Sequence, residues 1–169
     1  AESRIAHLGG RVSESEAARV VDAKDLIVAP GFIDLHTHFD SQIFWDPYCT
    51  MSGWHGITSV VMGNCGFTLA PARATERELV VRNLERAEDI SAEAMAAGID
   101  WTWETYPEYL QALEKLPKGI NYGGYVGHSA LRTWAMGERA FSEEASDADM
   151  QIMADELRAS LRAGALGFT

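Results

Sequence analysis

Two histidines one residue apart, His36 and His38, end the apolar run Gly31-Phe32-Ile33-Asp34-Leu35-His36-Thr37-His38-Phe39-Asp40. Neutral imidazole ligates divalent transition metals, zinc among them, through bonds of about 2.0–2.1 Å. The β-prone composition of 32–38 predicts a strand. Alternation along a strand puts residues two apart on one face, so His36 and His38 can reach one ion while Thr37 points away. A second run, GITSVVMGNCG over 56–66, ends in a glycine-punctuated turn carrying Cys65. A thiolate there is a third candidate ligand, supplied by a neighbouring strand. Asp40 and Asn64 flank these positions and are candidates to orient a ligand or line a pocket. His128 and Arg132, in the segment YVGHSALR, are weaker candidates. His128 also suits a core histidine, and Arg132 suits a carboxylate partner, a helix cap or a surface ion pair. His55 precedes the second strand, at the end opposite the chemistry, and His7 reads as a surface residue.

The elements that must position these groups follow from periodicity and punctuation. Residues 4–28 read as short β segments. Strands are predicted over 32–38, over the ITSVV run, over 120–128 and over 165–169. Residues 73–97 are helical in composition, with Gly98 as the expected C-cap. Thr105 to Glu108 is a capping box with an early proline and opens a helix over 106–116. Ser146 caps a last helix whose stripe is Met150, Met153, Leu157 and Leu161, and Gly164 ends it. Trp101, Trp103, Tyr106 and Tyr109 read as packing. Glu143-Glu144 and the pair Asp147 and Asp149 read as solvated charges at a helix start. Strands alternating with helices imply parallel βα units. In such barrels the C-terminal strand ends carry the active site, where His36, His38 and Cys65 fall. Four strands leave a barrel open, so the chain is expected to be the N-terminal piece of something longer.

Composition narrows the classes. The 169 residues carry 14 Lys and Arg against 25 Asp and Glu, a formal charge of −11, which disfavours nucleic acid as a partner. No run approaches the roughly 18 apolar residues of a membrane span. The N-terminal AESRIAHLGG shows no signal-peptide core. Two cysteines, Cys49 and Cys65, make no disulfide framework, and a cytoplasmic chain with reduced thiols is the simpler expectation.

APGFIDLHTHFD, GITSVVMGNCGFTLAP, YVGHSALR and GALGFT, in that order, resemble the N-acyl-D-amino-acid deacylase (D-aminoacylase) family of the metal-dependent amidohydrolase superfamily. The PGFID-x-H-x-H segment is shared across the superfamily, whereas GNCGF and GH-x-x-LR are more particular to this branch. The resemblance covers essentially the whole chain, and family members are much longer. It implies an α/β fold, the N-terminal half of a (β/α)8 barrel of TIM type. Residues 1–28 would form part of a small β domain, and 29–169 the first four βα units. It implies a centre of one or two Zn²⁺ ions, with His36, His38 and Cys65 as ligands. Two further histidines and a general-base aspartate would come from the remainder of the chain, beyond Thr169. The implied activity is hydrolysis of a carbon–nitrogen bond other than a peptide bond, turning a small-molecule N-acyl-D-amino acid into a carboxylate and a free D-amino acid. The isolated 169-residue chain is expected to be inactive. The alternatives are an amidohydrolase of another cyclic or linear amide, dihydroorotase-like, and a catalytically silent binding relative. Many amidohydrolases bridge two metals with a carboxylated lysine at the end of the fourth strand. The lysines here are Lys24, Lys115 and Lys118, none at the end of a predicted barrel strand. That favours a cysteine-containing site.

Overall fold

The β-branched and aromatic runs become the strands of one parallel sheet in the computed structural model, which describes residues 4–10 and 12–169. The strands are β1 (Phe32–Thr37), β2 (Ile57–Met62), β3 (Asn121–Val126) and β4 (Gly167–Phe168), adjacent in chain order. Helices fill every connection: α1 (Phe39–Gln42) and α2 (Thr50–Trp54), then α3 (Arg77–Glu88), α4 (Ala92–Gly98) and α5 (Tyr106–Glu114), then α6 (His128–Met136) and α7 (Asp147–Ala163). This is the parallel half-barrel the sequence predicts, with more helices than it signals. α1 and α2 have four and five residues, too few for a periodic pattern to register. α6 lies where the strand reading ran on to His128; β3 stops at Val126 and Gly127 starts the helix.

The helical stretch 73–97 breaks in two. Asp89 takes a left-handed backbone (φ 54°), and the Ser91 hydroxyl accepts the Ala94 N–H to open α4. Gly98 is the last residue of α4 rather than a left-handed cap. Its small size is required by packing, because a Cβ there would lie 2.3 Å from the Trp45 ring. The capping boxes at Thr105/Glu108 and Ser146/Asp149 form, and Gly164 (φ 118°) closes α7.

One face of the sheet carries the core. Val60, Met62 and Val126 join a buried cluster with Leu69, Leu84, Met95, Leu113 and Leu131. Trp103, Tyr106 and Tyr109 sit in the same cluster, with Phe44 stacked on Trp103 at 4.7 Å, so this aromatic group is packing. β1 differs from the buried strand its composition suggests: Phe32, Ile33 and Leu35 are exposed. β1 is the edge strand, and within residues 31–169 no element covers those side chains. The face α7 buries is also offset from the apolar stripe. Asp149, Met153, Glu156 and Ser160 are buried, whereas Met150 and Leu161 are exposed. The polar members are each partnered. Asp149 ion-pairs with Arg139 at 2.7 Å, and Glu156 accepts the Tyr106 N–H at 2.9 Å. Asp149 is therefore a buried, paired carboxylate, not the solvated helix-start charge expected of it.

The chain divides into two compact units, Ala1–Pro30 and Gly31–Thr169. The described residues of the first, 4–10 and 12–30, form one 3₁₀ turn (Glu14–Glu16) and no strand. The β segments expected over 4–28 do not assemble there. Ile5, Leu8, Val21, Ile27 and Val28 are exposed and find no ladder partner within the unit. Residue 11 of that stretch, and residues 1–3 of the small β domain expected over 1–28, lie outside the described residues. No helix among the described residues is long and apolar enough to cross a membrane.

Candidate metal centre

The ends of β1 and β2 bring the three predicted ligands together. Asp34 pairs with Val60 and Thr37 with Met62, so β1 carries one extra residue through the Leu35–His36 step. Such a bulge re-aims side chains. β1 ends at Thr37, whose hydroxyl donates to the Val61 carbonyl, and His38 turns into α1. The rings of His36 and His38 stand 5.8 Å apart, and the Cys65 Sγ lies 3.1 Å from His38 Nε2. One ligand atom from each of His36, His38 and Cys65 lies within 4.8 Å of the others. Tetrahedral zinc with ordinary bond lengths needs ligand separations of about 3.4 Å between nitrogens and about 3.6 Å between nitrogen and sulfur. The two-nitrogen, one-sulfur set therefore fits zinc with small side-chain adjustments.

The turn that presents Cys65 is tied down from three elements. Asn64 Nδ2 donates to the Leu35 carbonyl at 3.0 Å, joining the turn to β1. The Thr169 hydroxyl, after β4, donates to the Gly63 carbonyl at 2.8 Å and accepts the Gly66 N–H at 3.2 Å. The N–H and hydroxyl of Ser129, on α6, both donate to the Gly66 carbonyl, at 3.0 and 2.8 Å. Gly63 adopts φ 75°, and a Cβ there would lie 2.3 Å from the Thr68 methyl. A Cβ on Gly127 would lie 2.6 Å from the Gly66 carbonyl oxygen, so the residue between β3 and α6 approaches this turn backbone to backbone.

The electrostatics suit a ligand role. Burial lowers the pKa of His38, with the Glu88 carboxylate opposing and His36 reinforcing the shift; the imidazole is neutral near pH 7. Burial raises the Cys65 thiol, against a hydrogen bond from the Phe67 N–H and with further raising by Glu88 and Asp40. A coordinating cation reverses that preference and takes the thiolate. Asp40 is fully buried; burial pushes its carboxyl up to about 7, against the Leu69 N–H that donates to Oδ2 at 2.7 Å. Its other oxygen, Oδ1, has no hydrogen-bond partner and lies 3.9 Å from His38 Nδ1, which also lacks one. Two orphaned buried atoms facing each other suit the pairing that holds a metal-bound imidazole in one tautomer. Tyr109 anchors this corner by donating to the Asp40 carbonyl at 2.9 Å.

The other sequence candidates lie elsewhere. His128 is exposed at the start of α6, edge-on to Phe168 at 6.2 Å. It borders a mostly apolar cavity of about 210 Å³ with Leu131, Met150, Met153 and Phe168. Arg132 donates to the backbone carbonyls of Ala140 (2.8 Å) and Glu143, so it binds the segment after α6 rather than a carboxylate. His55 caps α2 at the entry to β2. The lysine argument holds in space: Lys118 Nζ donates to the carbonyls of Leu113, Glu114 and Leu116 at the end of α5, and Lys115 caps that helix. Both cysteines are unpaired. Sequence reasoning missed Ser129, Thr169 and, above all, Glu88, whose Oε1 lies 3.0 Å from His38 Nε2.

The sequence profile of the amidohydrolase family matches residues 19–168. The chain belongs to the amidohydrolase family. It is 35% identical over 166 residues to the D-aminoacylase of Alcaligenes xylosoxydans xylosoxydans, covering 98% of this chain and 31% of that protein. A crystal structure of N-acyl-D-glutamate deacylase from Bordetella bronchiseptica, complexed with zinc and a phosphonate inhibitor, is 34% identical, with a TM-score of 0.62 over 82% of this chain and 26% of that one. A D-aminoacylase structure with a binuclear metal centre is 32% identical, with a TM-score of 0.65 over 82% of this chain and 27% of that one. This amidohydrolase chain thus spans less than a third of the length of the curated relatives that match nearly all of it, 26% to 31%.

Proposed function

We propose that the chain contributes the first corner of a zinc centre in a hydrolase that cleaves N-acyl-D-amino acids to a carboxylate and a free D-amino acid. The observation that carries this reading is the convergence of His36, His38 and Cys65 within 4.8 Å at the C-terminal ends of adjacent parallel strands. His36 and His38 are the nitrogen ligands and Cys65 the thiolate. When bound, the ion polarises the acyl carbonyl and lowers the pKa of an attacking water towards ~7. The protein's part is to hold that geometry. Asp40 faces the second nitrogen of His38 and fixes its tautomer. Asn64, Thr169 and Ser129 fix the turn that carries Cys65. The general-base aspartate and two more histidines belong to the remainder of the protein, beyond Thr169. Whether one ion or two are held follows from those later residues. The absence of a lysine at any of the four strand ends supports this branch over dihydroorotase-like relatives, and the unpaired thiols support a cytoplasmic setting.

The test uses the intact protein. Metal analysis is expected to find zinc, and N-acetyl-D-amino acids are expected to be hydrolysed in preference to their L enantiomers. Zinc-free active protein, or preference for the L series, contradicts the reading.

A further inference from the structure

The geometry points to one more ligand: we propose that the carboxylate of Glu88 coordinates the ion held by His38 and Cys65. This rests on the zinc centre argued above and adds an oxygen donor from the helix that follows β2.

Three observations carry it. First, Glu88 Oε1 lies 3.0 Å from His38 Nε2, and Cys65 Sγ lies 3.1 Å from the same nitrogen. One ring nitrogen has one direction for a hydrogen bond, yet a sulfur and a carboxylate oxygen both crowd it. His38 Nδ1 meanwhile has no hydrogen-bond partner. Donor atoms gathered at one nitrogen are what a shared cation organises. Both separations from that nitrogen fall just short of the edge lengths of about 3.4–3.6 Å that tetrahedral zinc requires, while the group lying mutually within 4.8 Å is His36, His38 and Cys65, so a side-chain rotation brings Glu88 into the shell. Second, Glu88 is the last residue of the 12-residue α3. The helix macrodipole puts partial negative charge at that end, so a carboxylate is unfavourable there unless a cation offsets it. Third, the position is fixed. Asp89 turns the chain through a left-handed backbone, and the Glu85 carboxylate accepts the Ala92 N–H at 3.0 Å, locking the corner between α3 and α4. The Glu88 side chain is largely shielded and His38 more so. One thiolate and one carboxylate also neutralise a divalent ion, which suits a site screened from water.

The experiment compares zinc affinity and the visible spectrum of the Co²⁺-loaded intact protein for wild type, Glu88→Gln, Glu88→Asp and Cys65→Ser. Removing an outer hydrogen-bond partner of a ligand costs about 10–100-fold in metal affinity. Glu88→Gln is expected to exceed 100-fold and to change the Co²⁺ ligand-field bands while keeping the sulfur charge-transfer band. Glu88→Asp, which keeps the charge on a shorter arm, is expected to fall between, and it serves as the reading if the glutamine variant does not fold. A loss of 100-fold or less with an unaltered Co²⁺ spectrum overturns the proposal and makes Glu88 a partner of the His38 ring. If Cys65→Ser lacks the sulfur band and Glu88→Gln is indistinguishable from wild type, the Glu88 ligand alone is refuted. If Cys65→Ser also binds zinc and Co²⁺ as wild type does, the centre itself is refuted.

Discussion

Replacing Gly127 by alanine probes how Cys65 is held without touching a ligand. The new Cβ would lie 2.6 Å from the Gly66 carbonyl oxygen, 2.8 Å from the Gly66 carbonyl carbon and 2.8 Å from the Thr68 hydroxyl. Ordinary contact begins near 3.4 Å, so the two backbones must separate by 3.4 − 2.6, about 0.8 Å. The Gly66 carbonyl accepts two hydrogen bonds from Ser129, and Gly127 N–H donates to Thr68 Oγ1 at 3.0 Å. Overpacking of this kind costs about 1–3 kcal/mol, and weakening two or three hydrogen bonds adds about 1 kcal/mol each. The expected loss is about 3–6 kcal/mol, read as a lower urea midpoint of the intact protein. Because Gly66 follows Cys65 directly, the zinc affinity should fall about 10–100-fold as well, as when other supports of a ligand are lost. Gly53→Ala is the control: it lies in α2 with open space around it and should be neutral or slightly stabilising. If Gly127→Ala matches that control in midpoint and zinc affinity, the close backbone approach does not position Cys65.

Thr169→Val removes the hydroxyl that joins Gly63 and Gly66; it should cost about 1–3 kcal/mol and speed hydrogen exchange at the Gly66 amide, whereas wild-type protection would refute the tie. Asp149 is held well below the usual carboxylate range, by Arg139 first and Ser146 next. Its folded pKa is depressed, so its contribution to stability is complete above the unfolded value of about 3.9 and is lost as pH falls below it. Asp149→Asn should therefore flatten the acid limb of a stability-versus-pH curve below about pH 4, and an unchanged slope would refute the pairing. The isolated chain 1–169 should show no zinc-dependent deacylase turnover, since the general base is assigned outside it, and robust turnover by it would overturn that assignment.

What the sequence shows of this site follows the periods of its elements. His36 and His38 were legible because strand alternation has a period of two, and Cys65 because it ends the next strand at the same side of the sheet. The bulge at Leu35–His36 was not legible, yet the alternation argument survives it because both rings still converge on the thiol. Glu88 was hidden inside a long stretch of helical composition, where a glutamate reads as a solvated face. The signal that could have found it is the Asp89–Ile90–Ser91 break: a cap residue at Ser91 ends the preceding helix near Glu88 and leaves an acid at the unfavourable end of its dipole. The stripe of α7 was misread by one position because its buried face is partly polar, and pairing across elements, such as Asp149 with Arg139, leaves no periodic trace. The exposed apolar residues of β1 and of 4–28 are strand-like in composition, but a strand is defined by its partner, which composition does not name.

The most direct test of the central claim is zinc K-edge X-ray absorption on the intact protein, read beside the Cys65→Ser variant. A single sulfur scatterer at about 2.3 Å within a nitrogen and oxygen shell, absent in the variant, is the predicted result. A shell of nitrogen and oxygen alone in the wild type, or a sulfur that persists in Cys65→Ser, would contradict a centre built on His36, His38 and Cys65.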